Sequence, residues 1–378
     1  MPVTFDNIPA NLRTPGVYIE FNNELAAANT PEFKILVLGQ KLTAGTIAQN
    51  IPTRVSRKSD AETYYGRGSM LASMIASLLD ASRDIEVWAI AQDDNGAGVA
   101  ATGTIAFTGP ATKAGTVYLY VAGTRLAVAV ANADTATVVG AAVAAAVNAD
   151  TSLPVTAANV TGTVTFTARN KGTNGNDIDL RLNYYDGEAL PTGITAVVTA
   201  MASGATNPVL TSTIAAFGET WWNWIVNPYT DTTSLVALEA ELNTRWGPTV
   251  QKGARAFSAY RGTPSASATF GNARNSPHVT CIGTGISPTP SYIWAAVNAA
   301  IAARSLSIDP ARPLQSLVLP GVLPPKLTER WLQSERNTAL YDGISTHTVD
   351  VDGTVRIERQ ITMYQTNSGG IADASYLD

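Results

Sequence analysis

The sequence predicts an α/β protein: a discontinuous mixed-sheet core domain, a small β-rich α+β domain inserted into it, and an extended amino-terminal arm. Three observations predict it. Residues 33–90 read as strand, helix and strand. From 97 to 206 the composition turns to Ala, Thr, Gly and Val, with only eleven charged residues. After Pro208 the strand–helix alternation returns. The expected units are the arm at 1–22, the core domain in two parts at 23–96 and 207–378, and the inserted domain at 97–206.

The arm is one short extended strand after the Pro15-Gly16 break. Val17 and Ile19 alternate with Tyr18 and Glu20, and Phe21 closes the run, the period of a half-buried strand. Asn22, Asn23, a run of alanines and Pro31 come next, so no hairpin partner lies nearby. An unpaired strand leaves a row of backbone donors and acceptors open, and these favour pairing with another chain. About 20 extended residues span roughly 65 Å, enough to reach a neighbour. Folding back onto an edge of its own sheet is the other reading, and the residues alone leave both open.

In the core, Phe33-Lys-Ile-Leu-Val-Leu-Gly39 reads as a buried strand. Met70, Leu71, Met74, Ile75 and Leu78 fall at helical spacing, and Asp84-Ile-Glu-Val-Trp-Ala-Ile90 is a second strand, suggesting a parallel pair. The middle region shows short strands at 104–107, 116–121, 125–130, 164–168 and 178–182. An Ala-rich helix at 135–148, capped by Asp134 or Thr135, interrupts them. Further strands are expected at 222–226, 255–260, 278–282 and 316–319. Leu235, Leu238 and Leu242 mark a helix that starts near Asp231 and stops at Trp246-Gly247, and 293–304 is another. Residues 347–364 read as a hairpin turning at Asp352-Gly353.

The 378 residues are 45% hydrophobic and 15% charged, with net charge −5; a sizeable core is possible, but no basic patch for nucleic acid or an anionic membrane. The low charge leaves a surface of Thr, Asn, Ser, Gly and Ala, suited to extensive protein contacts. The single cysteine, Cys281, rules out an intramolecular disulfide, and residues 1–10 lack a basic and apolar leader. The longest apolar run, 138–147, is too short to span a bilayer. A soluble chain made in the cytoplasm is expected.

Chemical motifs fail on context. Gly96-Ala-Gly-Val-Ala-Ala101 fits a dinucleotide fingerprint only nominally, because a strand and not a helix comes after it. Asn174-Gly-Asn-Asp-Ile-Asp179 is rich in oxygen but has no bidentate Glu at calcium-loop spacing, so a polar turn is expected. His278 and His347 are the only histidines, too few for a zinc site with one cysteine. A His278–Cys281 nucleophile pair is disfavoured, since three residues along a strand face opposite ways. Trp221, Trp222 and Trp224 read as a buried strand with an edge aromatic in preference to a stacking platform. No catalytic residue, metal site or cofactor is expected.

Several segments fall in a familiar order: Asn227-Pro-Tyr-Thr-Asp231, Arg245-Trp-Gly-Pro248, Gly271-Asn-Ala-Arg-Asn-Ser-Pro-His278, Leu319-Pro-Gly-Val-Leu-Pro-Pro325, Asn337-Thr-Ala-Leu-Tyr-Asp-Gly343, Asp350-Val-Asp-Gly-Thr-Val-Arg356 and Ile371-Ala-Asp-Ala-Ser-Tyr-Leu-Asp378. With Pro15-Gly-Val-Tyr18 in front, the chain resembles the tail sheath proteins of contractile bacteriophages of the Mu-like type. The resemblance covers essentially the whole chain, and its strength is the order of many motifs, none of them diagnostic alone.

The resemblance implies a structural polymer and not an enzyme. It implies homo-hexameric rings stacked around a tail tube protein, ended by baseplate and terminator proteins, contracting to drive the tube through a host envelope. It places the subunit in the virion tail, with assembly in the host cytoplasm. It also implies that Val17, Tyr18, Ile19, Glu20 and Phe21 add a strand to a sheet of an adjacent subunit, while the inserted domain decorates the outer surface; the polar, Ala-rich residues 22–30 are the expected hinge. Family members usually continue beyond the Ser-Tyr-Leu-Asp motif into a carboxy-terminal domain and second arm. The tube-contacting portion is therefore expected to lie largely outside these residues. Two rival classes are a cytoplasmic α/β enzyme, which needs a convergent nucleophile and base, and a surface-binding module whose Thr/Gly-rich insertion carries recognition.

Overall fold

The structure, a computed structural model, describes residues 14, 16, 17 and 33–376. Tyr18, Ile19, Glu20 and Phe21, together with the expected hinge, lie outside the described residues. Residues 33–378 form one compact unit and 1–32 another. Every described strand and helix belongs to the larger unit.

Its first strand, β1 (Lys34–Gln40), is followed by the two-residue β2 (Thr53–Arg54), α1 (Lys58–Tyr65), α2 (Met70–Ala81) and β3 (Glu86–Gln92). The middle of the chain supplies β4 (Ala100–Thr108), β5 (Gly115–Val121), β6 (Thr124–Val130), α3 (Ala136–Ala149), β7 (Val155–Val160), β8 (Thr163–Lys171), β9 (Leu180–Leu182) and β10 (Thr195–Ala202). Then come α4 (Thr211–Ala215), β11 (Trp224–Val226), α5 (Thr232–Trp246), β12 (Arg255–Arg261), α6 (Pro264–Asn272), β13 (Val279–Gly285), α7 (Ser291–Ile308), α8 (Gln333–Tyr341), β14 (Thr346–Val349) and β15 (Val355–Arg359).

The large sheet has the order β13-β12-β11-β1-β3-β2, parallel except at β2. Sequence explains the parallel pairing. Strands covered on both faces read as continuous apolar runs, and every residue of β1 after Lys34 is buried. Helices α2 and α7 pack on each other and on this sheet. Ser69 caps α2, its Oγ accepting from Ala72 N–H at 3.1 Å. The core here runs from Ile35 and Leu36 through Met74 and Phe257 to Trp294.

The middle region forms two antiparallel sheets, β10-β4-β8-β7 and β6-β5-β9. Its strands alternate, as in β4 with one residue in and the next partly out, and it has its own cluster of buried side chains, among them Ile105, Leu119, Val143 and Phe166. Thr135 caps α3, as one of the two expected residues, by accepting from Val138 N–H at 3.4 Å.

Three readings need correction. Residues 316–319 are not a regular strand. Ser316 has φ +59° and Pro320 comes directly after the segment, which instead lies beside β15, where Leu319 N–H donates to Val355 O at 2.9 Å. The strand expected at 222–226 starts only at Trp224; Trp222 is buried, but Trp221 is 51% exposed. The hairpin turns at Asp352-Gly353, with Gly353 at φ +87°, yet its second strand ends at Arg359 and not Tyr364.

Candidate assembly surfaces

Open α/β sheets bind ligands outside the carboxyl ends of their strands, where the strand order reverses. In this sheet the reversal falls between β1 and β11. The side chains there are polar, and apart from Gln40 Oε1 and Gln92 Nε2 they are engaged with one another. Gln40, the last residue of β1, donates through Nε2 to Asp94 Oδ1 and to Lys171 O, both at 2.7 Å. Asn170 of β8 donates to Lys41 O and Asp94 Oδ1 at 3.0 Å, and its Oδ1 accepts from Met70 N–H at 2.9 Å, satisfying a free donor of the first turn of α2. Buried Tyr229 donates to Gln92 Oε1 at 2.6 Å, and burial holds its phenol protonated. What remains is a cavity of ≈ 20 Å³ lined by Gln40, Asn170 and Asn174, the size of about one water. Here the middle region plugs the crevice.

A second contact lies beyond the carboxyl end of β12. Asp179, just before β9, accepts from Arg261 Nη2 at 2.6 Å and is bidentate with Arg181; all three side chains are at least four-fifths buried. Arg181 continues to Glu329 at 3.3 Å. Asp177 is bonded to the Ser291 hydroxyl, and burial pushes its carboxyl above the usual range. The acidic cluster at 174–179 is thus spent on joining the middle region to the body. Gly68 shows how closely the two approach: at φ +82°, a Cβ there would lie 2.6 Å from Thr151 O.

The remaining sequence candidates resolve individually. Gly96 and Gly98 lead into β4, a strand. Cys281 is buried, and burial raises its thiol far from reactivity. His347 is buried, its Nδ1–H donating to Gly283 O at 2.9 Å beside the Trp294 ring, and burial lowers it to about 4. Burial, then Arg255, lowers His278. Among the described residues no group of His, Cys, Asp and Glu could hold a metal ion, and no helix is long and apolar enough to cross a membrane.

Of the expected arm residues, Val17 alone is described, and it is 91% exposed. At the opposite, amino end of the large sheet, Trp221 and Trp246 stand half exposed among the described residues, around a cavity of ≈ 840 Å³ that also touches Arg255. Sequence reasoning missed this place, because its residues come from four separated segments, none with a motif.

A sequence model of the phage tail sheath protein central domain matches residues 203–363. The Mu-like prophage FluMu tail sheath protein of Haemophilus influenzae is 44% identical over 379 residues, spanning 100% of this chain and 78% of that protein. The chain belongs to the phage tail sheath family. Tail sheath proteins are structural, so the chain is a virion tail component and not an enzyme. Among solved structures, a sheath tail protein of Desulfitobacterium hafniense shares 14% identity at a TM-score of 0.46, covering 94% of this chain and 77% of that one. One from Listeria innocua shares 11% at 0.45, covering 92% and 72%.

Proposed function

We propose that the chain is the repeating subunit of a contractile sheath: hexameric rings stacked around a tail tube protein, bounded by baseplate and terminator proteins, and assembled in the host cytoplasm. Contraction exchanges one set of contacts between subunits for a larger one and drives the tube through the host envelope. A few kcal/mol per subunit, the ordinary scale of conformational differences, becomes large over many coupled copies. Residues 17–21 form the arm, joining an adjacent subunit through backbone hydrogen bonds while 22–30 bends. Residues 97–206 are an inserted domain that decorates the outer surface, between core parts 23–96 and 207–378.

The observation that carries this reading is the 44% identity, over the whole of this chain and 78% of the relative, with a Mu-like prophage tail sheath protein. Electron microscopy of the full-length protein tests it. Tubes are expected from the parent, and none from Tyr18→Pro or Ile19→Pro, which remove a ladder donor without touching the described core. Normal tubes from both variants would count against the arm.

A further inference from the structure

Two guanidiniums that line one small cavity repel each other unless something negative lies between them. Such a cavity, of ≈ 190 Å³, lies between α8 and β14. Arg330, Trp331, Arg336, His347 and Thr348 line it, and no carboxylate does. Backbone carbonyls fix both guanidiniums: Arg330 Nε donates to Pro325 O at 3.2 Å, and Arg336 Nη1 to Trp331 O at 2.8 Å. Arg336 Nε donates to Glu358 Oε2, also at 2.8 Å. Both terminal nitrogens of Arg330 and Nη2 of Arg336 then have no partner among the described residues.

His347 supplies a further wall. Its Nδ1–H is committed to Gly283 O, so Nε2 is the unused nitrogen of the ring. Burial is the main reason the ring stays neutral. Arg336 of α8 and Arg330 just before that helix also oppose its protonation, while the Gly283 bond and Glu358 of β15 favour it. The Trp294 ring of α7 packs beside it and brings no charge. With the ring protonated, three positive charges stand against the one carboxylate of Glu358, leaving two unbalanced. The volume equals that of about six waters, room for a small anion and too little for a peptide segment.

These facts specify the occupant. The terminal nitrogens of a guanidinium pair best with the oxygens of a carboxylate or a phosphate-type anion. A carboxylate brings one charge and two oxygens in a plane. A sulfate or phosphate brings up to two charges and four oxygens in a tetrahedron, and the donors here come from separate chain segments: Arg330 before α8, Arg336 within it and His347 on β14. We propose that the cavity binds a small tetrahedral oxyanion of the sulfate or phosphate class, held by Arg330 and Arg336, with His347 Nε2 taking up a proton from solvent and donating it in a hydrogen bond to an anion oxygen. Binding therefore tightens as pH falls, because only the protonated ring has a donor to offer there.

The test is NMR titration of the 378-residue chain labelled with carbon-13 at its two histidines, in sodium sulfate and in sodium chloride of equal ionic strength. His347→Gln assigns the signals. In chloride the His347 ring should stay neutral well into acid; in saturating sulfate its pKa should rise by about 1 or more, equivalent to sulfate binding the protonated ring about tenfold tighter. His278, which packs by Trp246, should not respond to sulfate. Arg330→Met should abolish the sulfate effect and leave the His278 signal in place. The parent chain decides without any variant: no saturable sulfate effect on His347 overturns the proposal. An effect that His278 shares, or that Arg330→Met leaves intact, would mean an adventitious ion only and overturns it too. So does acetate acting as strongly as sulfate, since a planar monoanion would then serve equally well.

Discussion

The parallel sheet of the body and the two antiparallel sheets of residues 97–206 solve the same problem in opposite ways. In the body, strands are covered on both faces, and β1 and β13 are apolar or buried almost throughout. In the middle region each strand hides one side, as in β8, where Val164, Phe166 and Ala168 point inward between less buried neighbours. Each region has its own cluster of buried apolar side chains. What joins them is polar: the Gln40–Asp94–Asn170 network and the Asp179–Arg181–Arg261 cluster. Apolar burial holds each region together; hydrogen bonds and charge set how one sits on the other.

The strongest test of that contrast is a cavity in each core. Phe166→Ala and Trp294→Ala each remove a side chain that is fully buried, and each should cost about 3–5 kcal/mol. Calorimetry should show Phe166→Ala bringing forward the unfolding of the middle region alone. A single transition that moves intact would erase the distinction between the two cores.

Asp179→Ala attacks the joint. It leaves Arg181 and Arg261 facing each other without their shared carboxylate, at about 3–5 kcal/mol. Protease cleavage between 90 and 100 or between 203 and 208 should quicken in this variant. Unchanged cleavage would mean that the polar cluster is not what holds the regions together.

Acid should affect the body through His347. Its folded pKa is lowered from 6.5 to about 4 by burial, so the unfolded chain takes up the proton first. Its contribution is full above about pH 6.5 and falls as pH drops towards 4, by about 3 kcal/mol in total. Denaturant melts of His347→Gln should lack that loss; an acid limb identical to the parent's would exclude His347 as its source.

The smallest effects compare the helix caps. Thr135→Ala at α3 and Asp231→Ala at α5 each remove an acceptor for a backbone N–H, at about 1 kcal/mol. Asp231 should cost more, because its other oxygen also accepts from Asn207 Nδ2 at 2.7 Å. Equal losses in chemical melts would show that the Asn207 bond contributes nothing.

Much of the fold was legible locally. Strands β1, β3 and β12, helices α2, α3 and α5, and the Asp352-Gly353 turn come from apolar period, cap and turn residues, which act within a few positions. Helices α1, α6 and α8 were not anticipated; α1 and α8 are polar on average and show few buried positions, so they leave little apolar period to read. Strands β7 and β10 were missed too, being short on large apolar residues and, in β10, largely exposed. Residues 316–319 misled because an apolar run with no helical period reads as a strand, whereas the backbone at Ser316 breaks it.

By itself the sequence determined the α/β texture, the change of composition at 97 and 207, and the ordered motifs that resemble tail sheath proteins, because these depend on residues close together in the chain. Only the tertiary structure decided that the ligand crevice of the large sheet is filled by Asn170 and Lys171, and that Arg255 and Gln360 line one cavity at its other end. Asn170 lies 76 positions from Asp94, and Lys171 lies 131 from Gln40. No local pattern encodes such pairings, since a polar side chain's partner is chosen by where the chain folds and not by its neighbours in sequence.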